Sequence, residues 1–132
     1  MLSFIILGVP VPQGRPKFFR RGNLVGVYDP PASKKAKADF ILQARKYKPI
    51  KPFEGAIWLD LFFYMPRPKG LGKKITKHIK KPDIDNLCKL AIDSMKGEFF
   101  KDDSQITFMN AQKQYCEGLE NPHIRVAIEE IK

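Results

Sequence analysis

The stretch Lys80–Ile106, KKPDIDNLCKLAIDSMKGEFFKDDSQI, decides the reading of this chain, because it gathers six of the fourteen aspartates and glutamates into one element and its flanks. Asp83 and Asp85 stand two residues apart directly after a run of lysines, and Asp102 and Asp103 follow a helix-length interval. Between the pairs, Leu87, Leu90, Ala91 and Met95 recur at the spacing of one helix face. Asp85 or Asn86 can cap that pattern and Gly97 can end it, which predicts a helix from Asp85 to Lys96. Clustered carboxylates repel one another and tend to hold a proton unless a cation compensates them. Mg²⁺ accepts one or two carboxylates while keeping positions for water and phosphate. The layout therefore predicts a divalent-metal site, and on a cationic surface a metal-dependent nuclease. Lys89, one turn beyond Asp85, either closes an i,i+4 ion pair with it or leaves a free ammonium to hold the scissile phosphate.

Outside this stretch the chain is basic. The net charge is +10, and no acidic residue occurs from Leu61 to Pro82, where Arg67, Lys69, Lys73, Lys74, Lys77, Lys80 and Lys81 all fall. Such an imbalance points to a polyanionic partner, the alternative being a merely solvated lysine-rich loop. Proline and glycine in PRPKGLGKKITKHIKKP exclude regular structure there, so the loop is expected to stay mobile until it meets its partner. His78 within it reads as a surface residue rather than a catalytic base. The loop PVPQGRPKFFRRGNLVGVYDPP near the amino terminus is also basic, with Arg15, Lys17, Arg20 and Arg21 placed to grip phosphates and Phe18 and Phe19 either packing or stacking on bases. The two cysteines, Cys88 and Cys116, lack the number and spacing of a zinc site and read as reduced structural thiols.

The remaining elements are read from periodicity. Leu2 to Val9 is a β-rich run far shorter than a membrane span, which makes it a strand and the protein cytoplasmic. Ser33 can cap an amphipathic helix over Lys34 to Tyr47, stopped by Pro49 and Pro52. Ala56 to Met65, AIWLDLFFYM, has the composition of a central strand, with Asp60 a weak candidate for the site. DDSQITFMNAQKQY and PHIRVAIEEI complete the order β, α, β, α, β, β. At 132 residues this is one domain, 1–132, with an α+β fold: a mixed sheet carrying helices mainly on one face, the last two strands antiparallel.

Three segments, KKPDIDNLCK, FFKDDSQI and GVPVPQGRPKF, resemble the RusA family of Holliday junction resolvases. The resemblance implies that Asp83, Asp85 and Asp103 are metal-binding carboxylates, that Lys89 is the catalytic lysine, and that Asp93 and Asp102 have no settled role. It further implies a Mg²⁺-dependent homodimer that resolves four-way DNA junctions by paired symmetric nicks in recombination and repair, in bacterial or prophage sequences. DNA contacts are expected from Arg15, Lys17, Arg20, Arg21, Lys73, Lys74, Lys77, Lys80 and Lys81. Either the amino-terminal strand or Ala56 to Met65 is long enough to form the dimer interface. A noncatalytic nucleic-acid-binding protein, and a metal nuclease acting on RNA or other branched DNA, are the alternatives.

Overall fold

A computed structural model describes residues 1–131. Six strands and two α-helices follow one another as β1 (Leu2–Leu7), β2 (Lys17–Arg21), β3 (Leu24–Tyr28), α1 (Pro31–Ala44), β4 (Ala56–Met65), α2 (Ile84–Met95), β5 (Ile106–Tyr115) and β6 (His123–Ile131). Four of the strands form one mixed sheet in the order β1-β6-β4-β5. β6 runs antiparallel to both β1 and β4, and β4 is parallel to β5. This is the expected α+β domain with two helices over one face. The sheet order departs from the reading in one respect: β5 and β6 run in opposite directions but do not pair, because β6 inserts between β1 and β4.

Strict alternation in β4 explains the layering. Ile57, Leu59, Leu61, Phe63 and Met65 are buried on the helix side, while Trp58, Asp60, Phe62 and Tyr64 are half-buried on the open side. α2 lays Leu87, Cys88, Ala91 and Met95 into that core beside Phe40 and Ala44 of α1, Phe4 and Ile6 of β1, and Val126 and Ile128 of β6. Asp60 accepts the Trp58 indole N–H at 2.8 Å on the face away from α2, which removes it from the site. Both cysteines are free and buried, and burial pushes the Cys88 thiol up to about 11. No helix of the described residues is long and apolar enough to cross a membrane.

Three local expectations change. The amino-terminal basic loop contains a hairpin, β2–β3, turned by Gly22 at φ +59° and Asn23, and every residue of β2 is exposed. Ser33 does not cap α1, which begins two residues earlier behind Pro30; its buried hydroxyl accepts the Gly14 N–H at 2.8 Å and donates to the Pro12 carbonyl. α2 begins at Ile84 with Asp83 at the cap position, and a short 3₁₀ turn follows α1 over Arg45–Tyr47.

Candidate active site

The amino-terminal end of α2 presents Asp83 and Asp85, both exposed. Asp83 is paired with the Lys81 ammonium at 2.9 Å, an exposed contact that a stronger cation can replace. An open cavity of about 520 Å³ lies against these carboxylates, lined also by Lys77, His78, Ile84, Ala111, Gln112 and Lys113. A neighbouring hollow joins Arg15 to Lys81, Pro82, Asp83 and Asn86. That contact follows from backbone: the Gln13 N–H donates to the Asn86 carbonyl at 2.9 Å and ties the amino-terminal basic segment to the first turn of α2. Of the nine cations expected to meet DNA, Arg15, Lys77 and Lys81 thus border the carboxylate hollow. Lys80 is adjacent in sequence, Lys17, Arg20 and Arg21 stand on the exposed hairpin, and Lys73 and Lys74 lie farther along the loop.

Lys89 is exposed and makes no ion pair among the described residues. The i,i+4 pair with Asp85 is not formed, which leaves the ammonium free for another anion. Asp93 faces Lys37 at 4.0 Å, and that lysine is drawn more closely to Asp29 at 2.9 Å.

Asp102 and Asp103 sit at the other end of α2. Lys96, the residue that caps the carboxy-terminal end of α2, reaches Asp102 at 3.2 Å. Asp102 caps a short 3₁₀ turn over Asp103–Gln105 in a capping box with Gln105. Hydrogen bonds from the Ser104 hydroxyl and then the Lys96 ammonium hold its carboxyl down to about 2. Asp102 is therefore a structural carboxylate, while Asp103 beside it is exposed and unpaired with any cation among the described residues. A twelve-residue helix spans about 18 Å. Carboxylates sharing one Mg²⁺ must each come within about 2.1 Å of it. Among the described residues no group of three His, Cys, Asp or Glu side chains is close enough to hold one ion. Asp83, Asp85 and Asp103, expected around one metal, are not brought together within a single chain.

Residues without chemical prominence in the sequence do the holding. Gln105 accepts the N–H groups of Lys101 at 2.8 Å and Asp102 at 2.9 Å, and donates to the carbonyls of Phe53 at 2.8 Å and Gly55 at 3.0 Å. The basic loop expected to be mobile is tied down by Arg67, which donates to the carbonyls of Cys116, Gly72 and Ile75 at 2.7, 3.1 and 2.8 Å. His78 lies in the cavity wall, its Nδ1 buried without a partner, and burial followed by the nearby Lys113 charge lowers its pKa.

Paired carboxylates within a collar of cations, on one small α+β domain, make an arrangement suited to phosphodiester chemistry on a polyanion. The family model described as endodeoxyribonuclease RusA matches residues 8–129, and the chain belongs to that family. It is also similar to an uncharacterised protein, YqaN, of Bacillus subtilis (strain 168), with 32% identity over 140 positions covering 98% of this chain and 96% of the relative. Membership indicates an endodeoxyribonuclease, in a family of Holliday junction resolvases whose members are generally metal-dependent.

Proposed function

We propose that the protein is a Mg²⁺-dependent, structure-selective endonuclease that resolves four-way DNA junctions by two symmetric nicks, working as a homodimer in recombination and repair. The observation that carries this reading is the placement of Asp83 and Asp85 at one end of α2 and Asp103 at the other. One chain offers two adjacent carboxylates in an open, cation-lined hollow, a donor set that fits Mg²⁺, which takes one or two carboxylates and completes its shell with water and phosphate. A second copy supplies the third.

β5 is the strand suited to bring it. β4 is hydrogen-bonded on both sides, and the free edge of β1 is partly occupied by Gln43, which bonds the Leu7 N–H and carbonyl. The outer edge of β5 meets the basic loop only near Lys113 to Tyr115, and Thr107, Phe108 and Met109 are exposed. Antiparallel pairing of two β5 edges about a twofold axis sets the beginning of one strand, with Asp103, beside the far half of the other. Asp83 and Asp85 lie there, against Ala111 and Lys113.

Asp83, Asp85 and the partner's Asp103 would hold the ion, which when bound supplies Lewis acidity at the phosphodiester and a more acidic water for in-line attack. Lys89 places its ammonium where charge builds on the phosphate oxygens. Arg15, Lys77, Lys80 and Lys81 hold the flanking backbone, and the hairpin cations with Lys73 and Lys74 extend that grip to the arms of the junction. Two copies bring two such centres, as paired nicks require.

Incubation of the protein and Mg²⁺ with a synthetic four-way junction, a linear duplex and a structured RNA tests the reading. Symmetric paired nicks confined to the junction are expected. Equal cleavage of the duplex or RNA, or binding without cleavage, would overturn it.

A further inference from the structure

We propose that Lys113 is a positioning residue for the carboxylates at the amino-terminal end of α2. Its place in the sheet is unusual for a lysine. In the β4–β5 register Lys113 pairs with Phe63, which is fully buried on the helix side, and its neighbours on that face are Ala111 and Tyr115. An ammonium issuing from a core-facing position has to reach acceptors or water. Lys113 reaches two carbonyl oxygens, those of Lys80 at 2.7 Å and Pro82 at 2.8 Å. These carbonyls bracket Lys81 and Pro82 and lie immediately before Asp83. No strand or helix satisfies them, because the segment between β4 and α2 has no regular structure. The Lys113 carbonyl accepts the His78 N–H at 3.5 Å from the same loop, and the Lys113 side chain lines the hollow with Asp83 and Asp85.

This side chain holds the segment just before α2, as the Gln13 N–H holds its first turn, and with it sets where Asp83 and Asp85 point. A fixed charge makes this anchor without using either carboxylate, which leaves Asp83 with only the exposed Lys81 pair and Asp85 with only the adjacent Asn86 N–H. The inference about the anchor stands on the metal-free chain. Its consequence for cleavage rests on the nuclease reading.

The test uses Lys113→Met, which keeps the stem and removes the ammonium, and Lys113→Arg, which keeps the charge. Hydrogen exchange of metal-free protein should accelerate by about tenfold or more at the amides of Leu87 to Leu90, the first in α2 with backbone acceptors, in Lys113→Met, with α1 and β6 unchanged, and Lys113→Arg should restore much of the protection. Single-turnover cleavage of a junction should fall about 10- to 100-fold in Lys113→Met, the scale set by an ångström of misplacement, while junction affinity measured in Ca²⁺ stays within about twofold. Wild-type exchange at Leu87 to Leu90 in Lys113→Met would overturn the proposal. So would acceleration spread equally over α1 and β6 in both variants, which would make Lys113 a general support of the fold. Changed exchange with unchanged cleavage would overturn the positioning role, whereas a wild type that cleaves no junction at all would count against the nuclease reading and leave the anchor standing.

Discussion

The two ends of α2 carry the same chemistry and use it differently. At the amino-terminal end, uncharged or cationic groups hold the backbone: Gln13 grips Asn86, and Lys113 grips Lys80 and Pro82. Asp83 and Asp85 are left with only an exposed lysine and a local backbone contact, the Asn86 N–H donating to Asp85 at 3.0 Å. At the carboxy-terminal end one of two adjacent aspartates is consumed by structure. Asp102 caps a turn and pairs with Lys96, and Asp103 next to it stays open. A carboxylate is available for metal only where other groups have taken over the work of fixing the chain.

The sharpest way to break this contrast is to neutralise the open carboxylates. Asp83→Asn and Asp85→Asn should each lower single-turnover cleavage by at least about 10²- to 10³-fold while junction binding in Ca²⁺ survives, as gel shift and quenched-flow would record. Asp102→Asn should leave most of the cleavage rate in place, because its partners are structural. An equal loss in all three variants would erase the distinction between the ends. Lys89→Ala should cost about 2 to 4 kcal/mol of transition-state stabilisation with thermal stability changed by less than about 0.5 kcal/mol, since its ammonium makes no ion pair among the described residues. Near-normal cleavage by this variant would remove Lys89 from the site.

Gln105→Ala probes the carboxy-terminal end through its support. Four backbone groups lose a partner, so denaturant unfolding should show a loss of about 1 to 3 kcal/mol. A neutral result would mean that water replaces the amide. The smallest effect is expected from the collar: replacing Arg15 and Lys17 together should weaken binding to all sequences and reduce the salt slope by about one unit per lost phosphate contact, read by fluorescence anisotropy across a salt series. An unchanged slope would place that segment away from the DNA.

What the sequence made legible was local. The apolar stripe of Leu87, Leu90, Ala91 and Met95 specified α2, and the alternation of AIWLDLFFYM specified β4. Asp83, Asp85, Lys89 and Asp103 stood out because each is a reactive group in a recurring motif, and the structure leaves all four exposed. The hairpin β2–β3 was hidden because its faces do not sort into buried and exposed: Phe18, Val25 and Val27 are solvent-facing. Placement of β6 between β1 and β4 is a long-range pairing with no local signature. Lys113 was hidden for a related reason, since only the register with Phe63 reveals that this lysine faces inward. Nor does spacing along the chain show that Asp83 and Asp103 lie at opposite ends of one helix, because the loop after Gly97 has to be placed before that distance exists.

That distance makes complementation between inactive chains the most direct measurement. Asp83→Asn and Asp103→Asn proteins are each assayed on a supercoiled plasmid bearing an extruded cruciform, then mixed and allowed to exchange. If each centre combines Asp83 and Asp85 of one copy with Asp103 of the other, a mixed dimer has one centre with both lesions and one with none. After free exchange of an equal mixture, half of the dimers are mixed, so the mixture should nick the plasmid to open circles with about a quarter of the live centres present in the wild type. A mixture as inactive as its components, despite demonstrated exchange of subunits, would contradict a centre shared between two copies.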